Sequence, residues 1–228
     1  MGVEPSCVDA GTALAVAPVV LAMDLSSPYG HLALCDGISL LAEARFSGDR
    51  SHHGALFGPL SDLVSRIPEG REVQLVVGTG PGSYTGVRIA VAAAQGLSLA
   101  RGWPVVGLPS IGSAEFPRYS VIGDARRGQA YLARVVNGRL LGQPRLLAAG
   151  EISAELDETE PWVSFDVQVP FGMPKVELIR PNAHRLALQV AAMSPSELEA
   201  LSGDILQPFY LQEAFITQPK GRGKILQG

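Results

Sequence analysis

Short apolar runs alternate with amphipathic segments along this chain, a pattern typical of an α/β protein. The continuously apolar run at residues 19–23 ends in Asp24 and predicts a buried strand. The stretch at 84–101 follows a glycine-rich turn and predicts a helix. Predicted strands cover residues 19–23, 31–35, 38–46, 73–77, 104–108, 119–123, 129–136, 139–141 and 162–169. Predicted helices cover residues 51–67, 84–101, 152–156 and the segment from an Asn182 cap to Met193.

The opening pattern of strand, aspartate, turn, strand and hairpin occurs twice. Asp24 and Asp124 are 100 residues apart, and the hairpin turns at 36–37 and 137–138 are 101 residues apart. Two copies indicate one duplicated structural unit, with a chance likeness between two β-meanders as the alternative. The expected domains are an N-terminal extension at 1–18, a first lobe at 19–112, and a second lobe at 113–228 whose basic tail starts at about 218.

Two predicted helices favour a subunit interface. The helix at 84–101 reads IAVAAA from Ile89 to Ala94 and lacks the polar face of a surface helix. A small lobe covers one side of such a helix, so we expect a partner on the other; burial inside one larger domain is the alternative. Ala90→Arg is expected to abolish partner binding while the lobe stays folded. The candidate interface residues on this helix and the amphipathic helix at 51–67 are Leu56, Leu60, Leu63, Val64, Val87, Ala90, Val91, Ala94 and Leu97.

The glycine-rich turn at 78–86 raises the question of phosphate binding, because a strand, a glycine turn and a helix N-terminus together form an anion site. A P-loop is excluded because it needs a lysine and none precedes Lys175. A dinucleotide fingerprint is disfavoured because no acid occurs between Glu72 and Glu115.

A third interpretation of the turn is an actin- and sugar-kinase-like arrangement, in which two duplicated units face each other across a nucleotide cleft. Asp24 and Asp124 would then hold magnesium, giving an ATP- and magnesium-dependent kinase or phosphatase. Aspartate at a strand end is also a common turn former, which is the structural alternative. The candidate vestigial nucleotide-site residues are Asp24, Gly80, Gly82, Ser83 and Asp124.

Composition and charge bear on binding to nucleic acid, membranes and metals. The net charge of −4 gives no general attraction to nucleic acid or anionic membrane, although Arg126, Arg127 and the basic tail are candidate tRNA contacts. Two cysteines are too few for a disulfide framework or a zinc cluster, which favours the cytoplasm. The apolar run at 12–23 is too short to span a bilayer. No zinc-protease motif is present, so we expect no metal site.

The motifs together resemble those of the TsaB (YeaZ) family. The segment GPGSYTGVRIA from Gly80 to Ala90, continuing through QGL at 95–97 and PVVGLPS at 104–110, carries the resemblance most specifically. Asp24 on the first strand, DARRGQAY at 124–131 and PFYL at 208–211 also match. The resemblance covers roughly residues 19–215, and the N-terminal extension and the basic tail lie outside it.

The resemblance implies a two-lobed α/β ASKHA fold (the actin, sugar-kinase and Hsp70 superfold, built on RNase H-like units). It also implies a non-catalytic scaffold in the synthesis of N6-threonylcarbamoyladenosine at position 37 of tRNA. The implied partners are a TsaD-like catalytic subunit, a TsaE-like ATPase and, through the complex, tRNA, with a homodimer when the chain is alone and no membrane. No cofactor is required by the resemblance, although ATP or ADP with magnesium is compatible with the complex interface.

Overall fold

The computed structural model describes residues 17–47, 52–155, 159–173, 175–202 and 205–211. The predicted N-terminal extension up to residue 16, the helix start at Ser51 and the basic tail from 218 lie outside these residues. The strands are β1 (Val19–Asp24), β2 (Tyr29–Asp36), β3 (Ser39–Ser47), β4 (Val73–Gly78), β5 (Val105–Leu108), β6 (Arg118–Arg126), β7 (Gln129–Val136), β8 (Arg139–Leu140), β9 (Arg145–Ala148), β10 (Trp162–Ser164) and β11 (Val176–Leu178). The helices are α1 (His52–Ser65), α2 (Tyr84–Arg101), α3 (Ile152–Glu155), α4 (Ala183–Ala191) and α5 (Pro195–Ser202).

The first sheet has the order β3-β2-β1-β4-β5. Strands β1, β2 and β3 form an antiparallel meander, and β4 and β5 run parallel to β1. Every residue of β1 and β4 is buried, as expected for central strands covered on both faces. The apolar run that precedes Asp24 in the sequence therefore lies in the middle of the sheet.

The second sheet repeats the arrangement of the first. Its order is β11-β10-β6-β7-β8, with β9 also paired to β7. Strands β6, β7 and β8 form an antiparallel meander, and β10 and β11 continue in parallel from β6, as β4 and β5 do from β1. Asp24 and Asp124 lie at equivalent positions near the ends of β1 and β6. The duplicated α/β ASKHA-type fold predicted from the sequence is confirmed.

Helices α4 and α5 come from the second half of the chain but pack on the first sheet. The α4 residues Ala183, Leu186, Ala187 and Val190 share a core with β1, β2, β4 and β5, and Leu198 and Leu201 of α5 pack against its edge. The opposite face of the sheet is covered by α1 and α2. The predicted lobe of 113–228 therefore does not hold as one spatial unit, because its last helices complete the first lobe.

Hydrogen bonds near the 3-10 turn at Ser110–Gly112 connect this turn to β6 of the second sheet and to α4. The Tyr119 hydroxyl donates to the carbonyl of Ile111 at 2.8 Å, and the Gln189 amide donates to the carbonyl of Gly112 at 2.9 Å. The backbone N–H of Asn182 donates to Ser113 Oγ at 3.0 Å. These bonds fix β6 and α4 to the end of the first lobe.

The predicted helices and strands differ most from the structure after residue 147, where the hydrophobic pattern of the sequence is weak. The predicted strand at 162–169 is a strand only over Trp162–Ser164, because the chain then turns through Asp166. The Asn182 cap is confirmed, since its side chain accepts from the backbone N–H of Arg185 at 3.3 Å. Strands β9 and β11 and helix α5 were not predicted, since they are short or carry no buried periodic face.

Candidate docking surface and the glycine turn

The glycine turn between β4 and α2 packs against the turn that follows β1. A Cβ atom on Gly82 would lie under 3.0 Å from the carbonyl of Ser26, and one on Gly86 would meet the carbonyl of Leu25 equally closely. A Cβ on Gly78 would overlap the carboxylate of Asp24. These glycines are therefore required for contact between two backbone turns within the lobe.

The backbone amides that would cradle a phosphate at this turn are already hydrogen-bonded within the protein. The N–H of Gly80 donates to Ser110 Oγ at 2.9 Å, and that of Ser83 donates to the carbonyl of Ser26 at 2.6 Å. Ser83 caps α2, its hydroxyl accepting from the N–H of Gly86 at 3.2 Å. Because the N–H groups of Gly80 and Ser83 are hydrogen-bonded to neighbouring turns, they are not available to a phosphate at the candidate vestigial nucleotide site.

Asp24 is completely buried at the end of β1. Its Oδ1 accepts from the backbone N–H of Ser26 at 2.8 Å and from the Ser26 hydroxyl at 2.6 Å. Its Oδ2 is buried without a hydrogen-bond partner among the described residues. Burial raises the pKa of this carboxyl, opposed by the Ser26 hydrogen bonds and by the nearby Ser110 hydroxyl, which lies outside hydrogen-bonding geometry with Oδ2.

Asp124 has a different environment at the end of β6. Its carboxylate is partly exposed, and Oδ1 accepts from the backbone N–H of Arg126 at 2.7 Å. The Arg126 guanidinium lies 3.5 Å from Oδ2, where a cation would be bound. The carboxylate of Asp166 accepts from the N–H of Asp124 at 2.7 Å. Neither aspartate fits a magnesium ligand, because Asp24 is sealed and Asp124 is paired with arginine.

Most of the interface residues predicted from the sequence lie in the protein's own core. The two helices form one layer over the first sheet, and most of these residues lie on the sides of the helices that face the sheet. Val64 and Leu97 alone are partly exposed. The prediction that Ala90→Arg leaves the lobe folded is wrong, because Ala90 is 0% exposed. The seven buried residues are Leu56, Leu60, Leu63, Val87, Ala90, Val91 and Ala94.

The outward side of the two helices carries a second apolar face, here called the docking surface. Its centre is an apolar groove between α1 and α2, where Ala92, Ala93 and Gly96 leave the backbone of α2 thinly covered. Phe57 on α1 is 57% exposed, and Leu99 on α2 is 91% exposed. The docking surface consists of Phe57, Leu60, Ile89, Ala92, Ala93, Gly96 and Leu97, which line the groove, together with Leu99.

Two glycines inside these helices have no role in the packing of the lobe. A Cβ on Gly58 of α1 or on Gly96 of α2 would meet no atom within 4 Å. Glycine within a helix costs about 1 kcal/mol relative to alanine. These positions therefore provide unfilled surface at which the backbone of another helix could approach closely.

A C-terminal segment, residues 205–211, lies along the other side of α2 and is here called the strap. The N–H of Phe209 donates to the carbonyl of Thr79 at 2.8 Å, and Leu206 packs against the core beneath α2. The Tyr210 hydroxyl accepts from Arg88 Nε at 3.2 Å and from Nη2 at 3.1 Å. The sequence motif PFYL thus lies beside the glycine turn in space.

The candidate tRNA contacts Arg126 and Arg127 occupy the exposed turn between β6 and β7. Both have left-handed backbone angles, with φ of 73° and 57°. Asp124 stabilises this turn through its hydrogen bond to the N–H of Arg126. Within the described ranges, no cluster of three or more histidine, cysteine or acidic side chains is placed to hold a metal ion. No helix in that part of the chain is long and apolar enough to cross a membrane.

Comparison with known proteins identifies the fold. The structure matches YeaZ from Pseudomonas aeruginosa with a TM-score of 0.63 and 23% identity, over 85% of this chain and all of that chain. The chain has the YeaZ fold. A P. aeruginosa protein with similarity to YeaZ matches with a TM-score of 0.66 and 23% identity, over 86% of this chain and 100% of that one. These matches agree with the TsaB (YeaZ) motifs of the sequence.

Sequence comparisons match one family model and several mycobacterial proteins. Residues 73–180 match the family model described as TsaD, tRNA N6-adenosine threonylcarbamoyltransferase. Uncharacterised proteins of Mycobacterium tuberculosis and Mycobacterium bovis are each 32% identical to the chain over 143 residues, or 58% of this chain. The match spans 66% of those relatives' own length. A Mycobacterium leprae protein is 33% identical over 56% of this chain and 36% of its own length.

Proposed function

We propose that this YeaZ-like chain is a TsaB-type scaffold subunit of the machinery that makes N6-threonylcarbamoyladenosine at position 37 of tRNA. It binds and stabilises a TsaD-like catalytic subunit and supplies no catalytic residue. A TsaE-like ATPase and tRNA join through that complex, in the cytoplasm. The same surface forms a homodimer when the catalytic subunit is absent, and any ATP or ADP with magnesium binds at the interface between subunits.

The docking surface is the observation that carries this proposal. Phe57 and Leu99 expose large apolar side chains on two adjacent helices of one layer. An apolar groove flanked by exposed large apolar side chains is the kind of surface that marks interaction sites. Ala92, Ala93 and Gly96 leave a groove that a helix of a partner would fill by close packing.

The region equivalent to an enzyme's nucleotide cleft supports a scaffold over a kinase or phosphatase. Asp24 is sealed behind the Ser26 turn, and Arg126 occupies the position of a cation beside Asp124. The Tyr119 hydroxyl also holds β6 of the second sheet to the 3-10 turn at the end of the first lobe. These features support partner binding as the role of the chain.

Co-expression with the TsaD-like subunit of the same organism tests the proposal. Wild-type chain is expected to co-elute with that subunit as a heterodimer in size-exclusion chromatography with mass measurement. Ala92→Arg places a charge on the exposed side of α2 and is expected to abolish the complex without unfolding the lobe. Ala191→Arg makes the same change at an exposed alanine of α4, on the opposite face of the sheet, and is the matched control. Co-elution of Ala92→Arg at wild-type yield refutes the assignment of the docking surface.

A further inference from the structure

Arg88 lies at the edge of the docking surface and is unusually well oriented for an exposed arginine. Its guanidinium carbon is 3.9 Å from the centroid of the Tyr84 ring, one turn earlier on α2. Its Nε and Nη2 atoms both donate to the hydroxyl of Tyr210 in the strap. The Tyr84 and Tyr210 rings are themselves 5.9 Å apart. Stacking and hydrogen bonding thus fix the plane of the guanidinium.

The charge of Arg88 is not neutralised by a carboxylate within the described ranges. Ion pairs link six other arginines to aspartate or glutamate side chains, whereas the contacts of Arg88 are tyrosines. Holding a long side chain in one orientation costs rotamer entropy. That ordering has already occurred in the free chain, so a ligand of Arg88 would bind without that cost.

The position of Arg88 relative to the groove indicates what kind of ligand it meets. Helical periodicity places Tyr84, Arg88 and Gln95 on one side of α2 and Ile89, Ala93 and Gly96 on the other. The outermost residues, Ala92 and Leu99, lie between these two sides. A subunit packed on the groove would therefore also cover Arg88 and exclude water from it.

We propose that Arg88, oriented by Tyr84 and by Tyr210 of the strap, binds an aspartate or glutamate side chain of the docked subunit. This inference rests on the proposed function and extends the contact of the docked subunit from the docking surface to the strap beside it. A planar guanidinium matches a carboxylate with two parallel hydrogen bonds. Tyrosine and arginine are also the residue types that most often dominate interface energetics.

The test measures the affinity of the full-length chain for the TsaD-like subunit by calorimetry at low and high salt. Arg88→Ala is expected to weaken binding about 30-fold at low salt, the size of a typical hot spot. Its affinity should also depend less on salt than that of the wild type. Arg88→Lys should recover little, because lysine cannot form the two parallel bonds. Arg101→Ala, at the far end of α2, is the matched control and should bind within about twofold of wild type.

Tyr210→Phe tests the strap separately. It removes the hydroxyl that accepts from Arg88 and keeps the ring, so binding is expected to weaken about five- to tenfold through loss of orientation. A wild-type affinity for Tyr210→Phe would contradict the role of the strap. Circular dichroism of each variant verifies that the lobe remains folded.

Three results would overturn the proposal for Arg88. In the first, Arg88→Ala binds within about threefold of wild type at both salts while Ala92→Arg fails to bind. The docking surface would then stand, but Arg88 would not contribute to binding. Glu213 follows the strap in the sequence. If Glu213→Gln weakens binding as much as Arg88→Ala does, the carboxylate that Arg88 binds belongs to this chain and not to the docked subunit. Arg88-dependent binding of inorganic phosphate or tRNA by the isolated chain assigns Arg88 to a phosphate. If Ala92→Arg also binds normally, the assignment of the docking surface fails. If the wild-type chain does not bind the TsaD-like subunit at all, the proposed function itself fails.

Discussion

Asp24→Asn is expected to stabilise the protein, because the structure buries a carboxylate with one oxygen unpartnered. The substitution keeps the shape of the side chain and the two hydrogen bonds that Ser26 donates to Oδ1. It removes the charge at Oδ2 and places an amide donor near the Ser110 hydroxyl. Relieving one buried, unsatisfied polar atom is worth about 1–3 kcal/mol. For a chain of this size that corresponds to a rise in Tm of roughly 2–12 °C.

The pH dependence of this gain follows from the direction of the pKa shift. Because burial raises the pKa of Asp24 in the folded state, the wild type is most stable where the carboxyl is protonated. That contribution is lost as pH rises from the ordinary value of 3.8 through the folded-state pKa. The advantage of Asp24→Asn should therefore be largest at pH 8 and shrink toward pH 4.

Urea denaturation of wild type and variant across this pH range provides the assay. Asp36→Asn is a control of opposite sign, because Arg71 donates two hydrogen bonds to Asp36 and lowers its pKa. That variant should lose stability slightly at neutral pH. If Asp24→Asn instead lowers stability at every pH, the charged form of the Asp24 carboxylate stabilises the fold, as it would beside a bound cation. That result would refute the interpretation of Asp24 as a sealed residue of a vestigial site.

Other predictions follow from the packing of the first lobe. Gly78→Ala should lower the free energy of unfolding by about 1–3 kcal/mol or more, since its Cβ would overlap the Asp24 carboxylate. Gly96→Ala, which meets no atom, should raise it by about 1 kcal/mol, and equal effects of the two changes in thermal denaturation would contradict the packing. His31 is buried, with Nδ1 accepting from the N–H of Ala183 at 3.0 Å and Nε2 bonded to Glu43 at 3.0 Å. Because burial lowers the pKa of His31, stability should fall as pH drops below its ordinary value of 6.5, and His31→Gln should remove this slope. An unchanged slope in His31→Gln would assign the titration to another group.

The sequence predicted the parts of the fold that depend on local pattern. The bounds of α2 and β7 were predicted to the residue, because a glycine turn and an Asn-Gly hairpin mark where they start or end. The duplication was predictable because each copy keeps the order of strand, aspartate, turn and hairpin. The return of α4 to the first sheet was not predictable, since an amphipathic helix does not indicate which sheet its apolar face covers.

The candidate site was predicted at the level of helices, and of the predicted interface residues only Leu60 and Leu97 line the groove. An all-apolar helix has two apolar sides, and the sequence does not distinguish the one facing its own sheet from the one facing out. Ala90 and Ala93 are chemically identical, yet Ala90 is fully buried and Ala93 lines the groove. The pairing of Arg88 with Tyr210 was also not predictable, because 122 residues separate them. Long-range contacts of this kind depend on the tertiary fold.

The central claim is that this chain acts through its docking surface and not through its buried aspartate. The most direct measurement is tRNA modification by the TsaD-like subunit, with its other components, in the presence of wild type, Ala92→Arg or Asp24→Asn. The account predicts that wild type and Asp24→Asn support modification equally and that Ala92→Arg does not. Loss of modification with Asp24→Asn, together with full modification with Ala92→Arg, would contradict it.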